Sequence, residues 1–170
     1  SALNHNSSAG GIKDVKLKDS YSDSNLSLEY DKSFKSGAWQ TIADLSYASY
    51  NWYGIDDELL LTTPNDLEVS HAYFGMDIWS EYVFKNSNFK KINGFFNVFG
   101  DSHDAAETRF KTQAELQFII SDQVLDLGLD LDYLKGEFKS GFRNEFNNLL
   151  FGINPSYFYE SDFFQLRAGM

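Results

Sequence analysis

Glu107-Thr108-Arg109-Phe110-Lys111-Thr112-Gln113-Ala114-Glu115-Leu116-Gln117-Phe118-Ile119-Ile120 separates into two chemically distinct sets when every second residue is taken. One set is Thr108, Phe110, Thr112, Ala114, Leu116, Phe118 and Ile120. The other is Glu107, Arg109, Lys111, Gln113, Glu115 and Gln117. Successive side chains of a strand point to opposite faces, so the stretch reads as a β-strand with one apolar and one charged face; a helix would scramble the sets. After Ser121-Asp122-Gln123 the pattern resumes, with Leu125, Leu127, Leu129, Leu131 and Tyr133 alternating with Asp126, Gly128, Asp130 and Asp132.

The same test extends in both directions. Leu26, Leu28 and Tyr30 oppose Asn25, Ser27, Glu29 and Asp31, and Thr41, Ala43, Leu45 and Tyr47 oppose Gln40, Asp44 and Ser46. Phe74, Met76 and Ile78 alternate with Tyr73, Gly75, Asp77, Trp79 and Glu81, while Ile92, Gly94, Phe96 and Val98 alternate with Asn93, Phe95, Asn97 and Phe99. Near the end, Leu149, Phe151 and Ile153, then Phe164, Leu166 and Ala168, form the apolar set, with Glu145, Asn154, Gln165 and Arg167 assigned to the polar one. About eight strands result, over 22–32, 38–53, 69–84, 91–101, 106–120, 124–135, 144–158 and 162–170, each antiparallel to the next. Residues 1–21 read as a loop. Pro155 belongs at a strand end or bulge, because proline cannot donate to a ladder.

Composition narrows the setting. The 170 residues include 16 Phe, 10 Tyr and 3 Trp, an aromatic share of 17%, yet the mean hydropathy is only −0.39. Bulky apolar side chains are therefore interleaved with polar ones and not gathered in blocks. No run approaches the roughly 20 apolar residues of a membrane-spanning helix. There is no cysteine, hence no disulfide framework and no thiolate metal site, and a net charge of −11 argues against nucleic acid as a partner. No secretory signal pattern opens the sequence.

Two features favour a membrane over water. Several of the expected strands are long for a globular protein, where about 5–6 residues is usual, and suit a tilted transmembrane strand of about 9–11. Connections also alternate in length: 33–37, 85–90, 121–123 and 160–161 are short, 55–68 and 136–143 longer, and 101–105 intermediate. Outer-membrane barrels have short periplasmic turns and longer extracellular loops, an asymmetry that a soluble sandwich has no reason to obey. Tyr30, Tyr82, Phe84 and Phe118 fall near the short turns, and Tyr47, Trp52, Tyr53 and Tyr133 near the long loops, where interfacial aromatic girdles belong.

The segment His5-Asn6-Ser7-Ser8-Ala9-Gly10-Gly11-Ile12-Lys13-Asp14-Val15, with the strand pair ending Asn51-Trp52-Tyr53-Gly54, resembles large outer-membrane barrels of Bacteroidota. These are the barrel portion of TonB-dependent receptors and their porin-like relatives. The resemblance implies a segment of barrel wall; it brings no plug domain, TonB box or catalytic residue.

Three clusters bear on chemistry. Asp101-Ser102-His103-Asp104-Ala105-Ala106-Glu107 gathers oxygen and imidazole ligands without the spacing or glycine of a calcium loop, and reads first as a solvated turn. Asp56-Asp57-Glu58 with Asp66 and Glu68 likewise reads first as a solvated acidic loop, with divalent ions bridging it to lipopolysaccharide as the functional alternative. Ser70 and His71 are adjacent in a strand and point to opposite faces, so they do not make a catalytic pair.

The expected fold is all-β: an antiparallel up-and-down transmembrane β-barrel segment of a bacterial outer membrane, spanning 1–170 as one unit. Strand parity puts the end of residues 1–20 and the end of the last strand on the long-loop side, so a further strand is expected at each edge and a barrel of ten or more strands in all. The lipid-facing set is Leu26, Leu28, Leu45, Phe74, Met76, Ile78, Phe96, Val98, Leu116, Phe118, Leu127, Leu129, Leu131, Leu149, Phe151 and Leu166. The lumen-lining set is Glu29, Asp31, Asp44, Asp77, Glu81, Arg109, Lys111, Glu115, Asp126, Asp130, Asp132 and Arg167. The expected function is passive or gated passage of small solutes through an acidic lumen, with no enzymatic activity, no cofactor and no resident metal. The expected partners are outer-membrane lipid, lipopolysaccharide, small solutes and other outer-membrane proteins. A structural or assembly subunit and a soluble ligand-binding barrel or sandwich are the alternatives.

Overall fold

The structure is a computed structural model, and it describes residues 1–9, 20–51, 70–121, 123–140, 142–160 and 165–169. Nine strands form a single sheet in chain order: β1 (Ala2–Ser8), β2 (Tyr21–Ser33), β3 (Gly37–Asn51), β4 (Ser70–Phe84), β5 (Phe89–Asp101), β6 (Ala106–Ile120), β7 (Gln123–Ser140), β8 (Phe142–Glu160) and β9 (Gln165–Gly169). Every strand bonds antiparallel to its sequence neighbours. A sandwich would divide these strands between two layers, but here all lie in one. The sheet is open: β1 and β9 are its edges and are not bonded to each other.

Among the described residues no hydrophobic side chain is buried, so the sheet has no core of its own. Leu149, Phe151 and Ile153 on one face are 66%, 67% and 53% exposed, and Leu150, opposite Asp132 on the other face, is 67% exposed.

The register decides which residues share a face. Leu26 pairs with Leu45, Leu45 with Met76, Met76 with Val98 and Val98 with Thr108. Further along, Ala114 pairs with Leu129 and Leu129 with Ile153. Directly paired residues lie on the same side, so the apolar sets of successive strands merge into one continuous surface. An irregularity between Phe89 and Lys91 protects this sorting. Lys91 pairs with Glu115 on the polar face, and the extra residue Lys90 lets Phe89 pair with Leu116 on the apolar one.

Three expectations are corrected. Residues 1–21 are not wholly loop, since Ala2–Ser8 pairs with the Tyr21–Ser27 half of β2. That strand escapes the alternation test because both its faces are polar, apart from Leu3 opposite Leu26. The stretch 136–143 is no long loop either: Gly136 pairs with Phe146 and Ser140 with Phe142, so β7 and β8 continue their ladder to a tight tip. Third, Glu145 pairs with Glu137 and belongs by register to the face of Tyr133 and Leu149, not to the polar one. Pro155 lies inside β8, opposite Leu127, and the described ladder from β8 to β9 stops one residue away at Ser156. The expected loop 55–68, Trp52, Tyr53 and Phe164 lie outside the described residues.

Gly37 opens β3 at a point where a side chain has no room. Its carbonyl accepts a hydrogen bond from the Phe34 N–H at 2.7 Å, and a Cβ there would run into the Val83 carbonyl oxygen and the Tyr82 ring. At Gly94 the nearest atom to such a Cβ is the Lys111 carbonyl oxygen at 3.9 Å, an ordinary contact. Gly37→Ala should therefore destabilise the fold by about 1–3 kcal/mol through overpacking, and Gly94→Ala should be close to neutral. Denaturant unfolding of the two variants side by side checks this, and equal effects would contradict the close approach.

Candidate functional site

The apolar face is the first of two candidate functional surfaces. On β7 it runs from Leu125 to Tyr133, about 27 Å along the strand. Beyond Tyr133 and Leu149 the same face turns polar, with Lys135 opposite Asn147 and Glu137 opposite Glu145, and Lys135 Nζ lies 3.1 Å from Glu137 Oε1. The band therefore has a boundary, and the tip of the β7–β8 hairpin stands past it. There Phe138 and Phe146 stack at 5.9 Å between ring centroids.

At the short-turn end the band closes on an aromatic cluster. Tyr30 meets Trp39 edge-on at 5.8 Å, Tyr82 meets Phe84 edge-on at 4.6 Å, and Phe84 lies 5.8 Å from Phe89. Their polar atoms find partners at the rim: Trp39 Nε1 donates to Ser80 Oγ at 2.8 Å, and Tyr82 Oη and Ser36 Oγ share a hydrogen bond of 2.8 Å. Rings with apolar bodies and hydrogen-bonded tips suit a boundary between a dry and a wet layer. Trp39 and Phe89 were not in the expected girdle; parity points to Trp39, but Phe89 reaches this face only through the Lys90 irregularity.

The polar face is the second surface. Register places Glu29, Asp31, Asp44, Asp77, Glu81, Arg109, Lys111, Glu115, Asp126, Asp130 and Asp132 together on it, and sets Arg167 opposite Phe158. The sixteen residues assigned to the apolar set all register on the other face. The carboxylates are tied sideways, strand to strand. Arg109 grips Asp132 through Nε at 3.0 Å and Nη2 at 2.7 Å, with Lys111 Nζ at 3.7 Å from the same carboxylate. Lys91 pairs with Glu115 at 3.0 Å.

Amides hold much of the rest. Asn97 donates to Asp77 at 2.7 Å and Gln117 to Asp126 at 2.8 Å. Asp130 accepts from Gln113 at 2.6 Å and also from Asn154. A neutral amide orders a carboxylate without cancelling its charge, so the face stays both structured and negative. Aromatic and aliphatic groups interrupt it: Ile42, Trp79 and Phe95 follow one another across three strands.

At the long-loop rim of this face the strand register brings together residues that lie far apart in sequence. Tyr73 pairs with Asp101, which carries the following turn to the side of His71. The His71 and His103 rings stack with centroids 3.7 Å apart, and Tyr50 and Tyr73 flank His71 at 5.8 and 5.7 Å. Sequence reading finds the 101–107 cluster but not His71 beside it, because the partner depends on a pairing register that a single sequence does not print. Asp56, Asp57, Glu58, Asp66 and Glu68 lie outside the described residues.

No family model matches this sequence, and no curated protein and no solved structure matches it.

The bidentate Arg109–Asp132 pair yields a direct test of how ordered the polar face is. The Arg109 Nε–H should exchange slowly with solvent in the native protein and rapidly in Asp132→Asn, which frees the guanidinium. Nitrogen-detected NMR of the arginine side chains measures this. Fast exchange already in the native protein would show that the pair is not held.

Proposed function

We propose that this chain forms part of the wall of an outer-membrane β-barrel whose wet, acidic interior passes small solutes. The observation that carries the reading is a single-layer sheet with a continuous, bounded apolar face and, among the described residues, no buried apolar side chain. Such a face needs an apolar neighbour, and acyl chains supply one without a second protein layer. Aromatic rings at its short-turn margin and charges beyond Tyr133 and Leu149 fit the two interfaces of a bilayer. The opposite face, ordered by amides and ion pairs, suits water-filled space, where charged groups remain hydrated.

An open edge in lipid leaves backbone groups unsatisfied at a cost of several kcal/mol each. The edges at β1 and β9 are accordingly closed by further strands, giving a barrel larger than these nine. The resemblance to Bacteroidota barrels agrees with a large wall of this kind. Cations and neutral solutes are favoured over anions, because carboxylates outnumber guanidinium and ammonium groups on the inner face.

The first test is location: the natural protein should fractionate with the outer membrane and require detergent for extraction. In folding experiments with lipid vesicles, Leu129→Arg should cost about 2–4 kcal/mol if Leu129 lies near the midplane, while Gln113→Arg, on the other face beside Asp130, should be nearly neutral. Equal costs would sink the assignment of faces. In planar bilayers under a salt gradient the reversal potential should show cation preference, reduced in Asp126→Asn/Asp130→Asn. Anion selectivity, or no conductance, would contradict an acidic pore.

A further inference from the structure

We propose that His71, Asp101 and His103 form a binding site for a divalent transition-metal ion, of which Zn²⁺ is the type, at the long-loop rim of the polar face. Each residue offers one ligand atom, and these atoms lie within 4.8 Å of one another. All three side chains are half-buried, so the ligands are sheltered yet reachable from solvent.

The site is built on fixed elements. His71 belongs to β4, and its ring stacks with those of Tyr50, Tyr73 and His103. His103 lies on a turn pinned to β4: Ser102 N–H donates to the Ala72 carbonyl at 2.9 Å, and Ala72 N–H donates to Ser102 Oγ at 3.1 Å. Asp101 Oδ1 accepts from the N–H groups of His103 and Ala105, each at 2.8 Å, which locks the turn and leaves Oδ2 to serve as a ligand. Asp104 takes the left-handed conformation at φ 65°, which completes the reversal.

Second-sphere order is present as well. His103 Nδ1 lies 3.1 Å from Ser102 Oγ, a contact that ties the ring to the turn that carries it in the metal-free arrangement. Two imidazoles and one carboxylate select Zn²⁺, Ni²⁺ or Cu²⁺ over Ca²⁺ and Mg²⁺, which prefer all-oxygen shells. Three protein ligands leave a fourth position for water.

Binding requires one movement. Metal bonds of about 2.1 Å in a tetrahedral site put ligand atoms roughly 3.4 Å apart, so ligand atoms at the outer limit of the cluster must approach by up to about 1.4 Å. Stacked rings aim their lone pairs along parallel planes. The His103 ring must therefore turn out of the stack about its side-chain torsions, while the turn that carries it stays in place.

The chain contains only three histidines, which makes the test specific. Zn²⁺ alone is titrated into the purified, folded protein. Calorimetry should give one site, and long-range nitrogen–proton NMR should shift the imidazole signals of His71 and His103 while leaving His5 unmoved. His71→Ala and His103→Ala should each weaken binding about tenfold or more, and His5→Ala should not. Asp101→Asn keeps the Oδ1 that caps the turn and should weaken binding without loss of the fold, so a weakened variant is not mistaken for an unfolded one. No binding at about 1 mM Zn²⁺, shifts confined to His5, or unchanged affinity in both histidine variants would overturn the proposal. None of these readings depends on conductance or on lipid.

Discussion

Antiparallel pairing in a single unbroken parity is the constraint on which everything else depends. Side chains alternate with period two, so a slip of one residue between any two strands would carry one strand's entire apolar set to the polar face. The sheet avoids this from Leu26 in β2 to Leu166 in β9, and where β5 would lose phase at its first residues, Lys90 is absorbed as an extra residue. The consequence at that point is concrete. Phe89 joins the Phe84 ring and Leu116 on the apolar side, and Lys91 keeps Glu115 on the polar side.

How much of this the sequence discloses depends on whether a strand must satisfy two different environments. β6 and β7 are legible almost residue by residue, because Leu129 and Asp130 face surroundings that tolerate only one kind of side chain each. β1 is opaque for the opposite reason: Asn4, His5, Asn6 and Ser7 suit either face, and only backbone pairing with β2 makes them a strand. The far ends of β7 and β8 fail similarly, since Gly136, Glu137 and Lys139 look like loop composition even though the ladder continues to Ser140 and Phe142. Face membership is thus local information, whereas neighbours across strands are not. His71 beside His103 follows from Tyr73 meeting Asp101, a register set by the whole hairpin.

The two faces also differ in how they are held. On the apolar side, order comes from shape: glycine under a ring at Gly37 and Tyr82, edge-on aromatic pairs, and side chains that stand exposed until something apolar covers them. On the polar side it comes from directed bonds between neighbouring strands, chiefly amide to carboxylate. Fully ion-paired carboxylates would neutralise the surface, and like charges directly opposite each other repel, as at Asp44 opposite Asp77. Asn97 bonding to Asp77 orders one member of that pair without removing its charge. A surface of this kind is fixed in position yet still attractive to cations.

A sheet with no buried apolar side chain among its described residues does not obtain its stability in the way a soluble domain does, by enclosing a core between layers. Its backbone ladder satisfies the interior strands, but β1 and β9 each leave one row of donors and acceptors facing outward. Both deficits have one physical remedy. On the proposed reading, a non-polar medium covers the apolar face and at the same time makes open edges too costly to keep, so that the sheet curls and accepts further strands until no edge remains. On that reading the two-faced pattern and the open edges are parts of one argument: a surface that excludes water from one side also requires the sheet to close around water on the other.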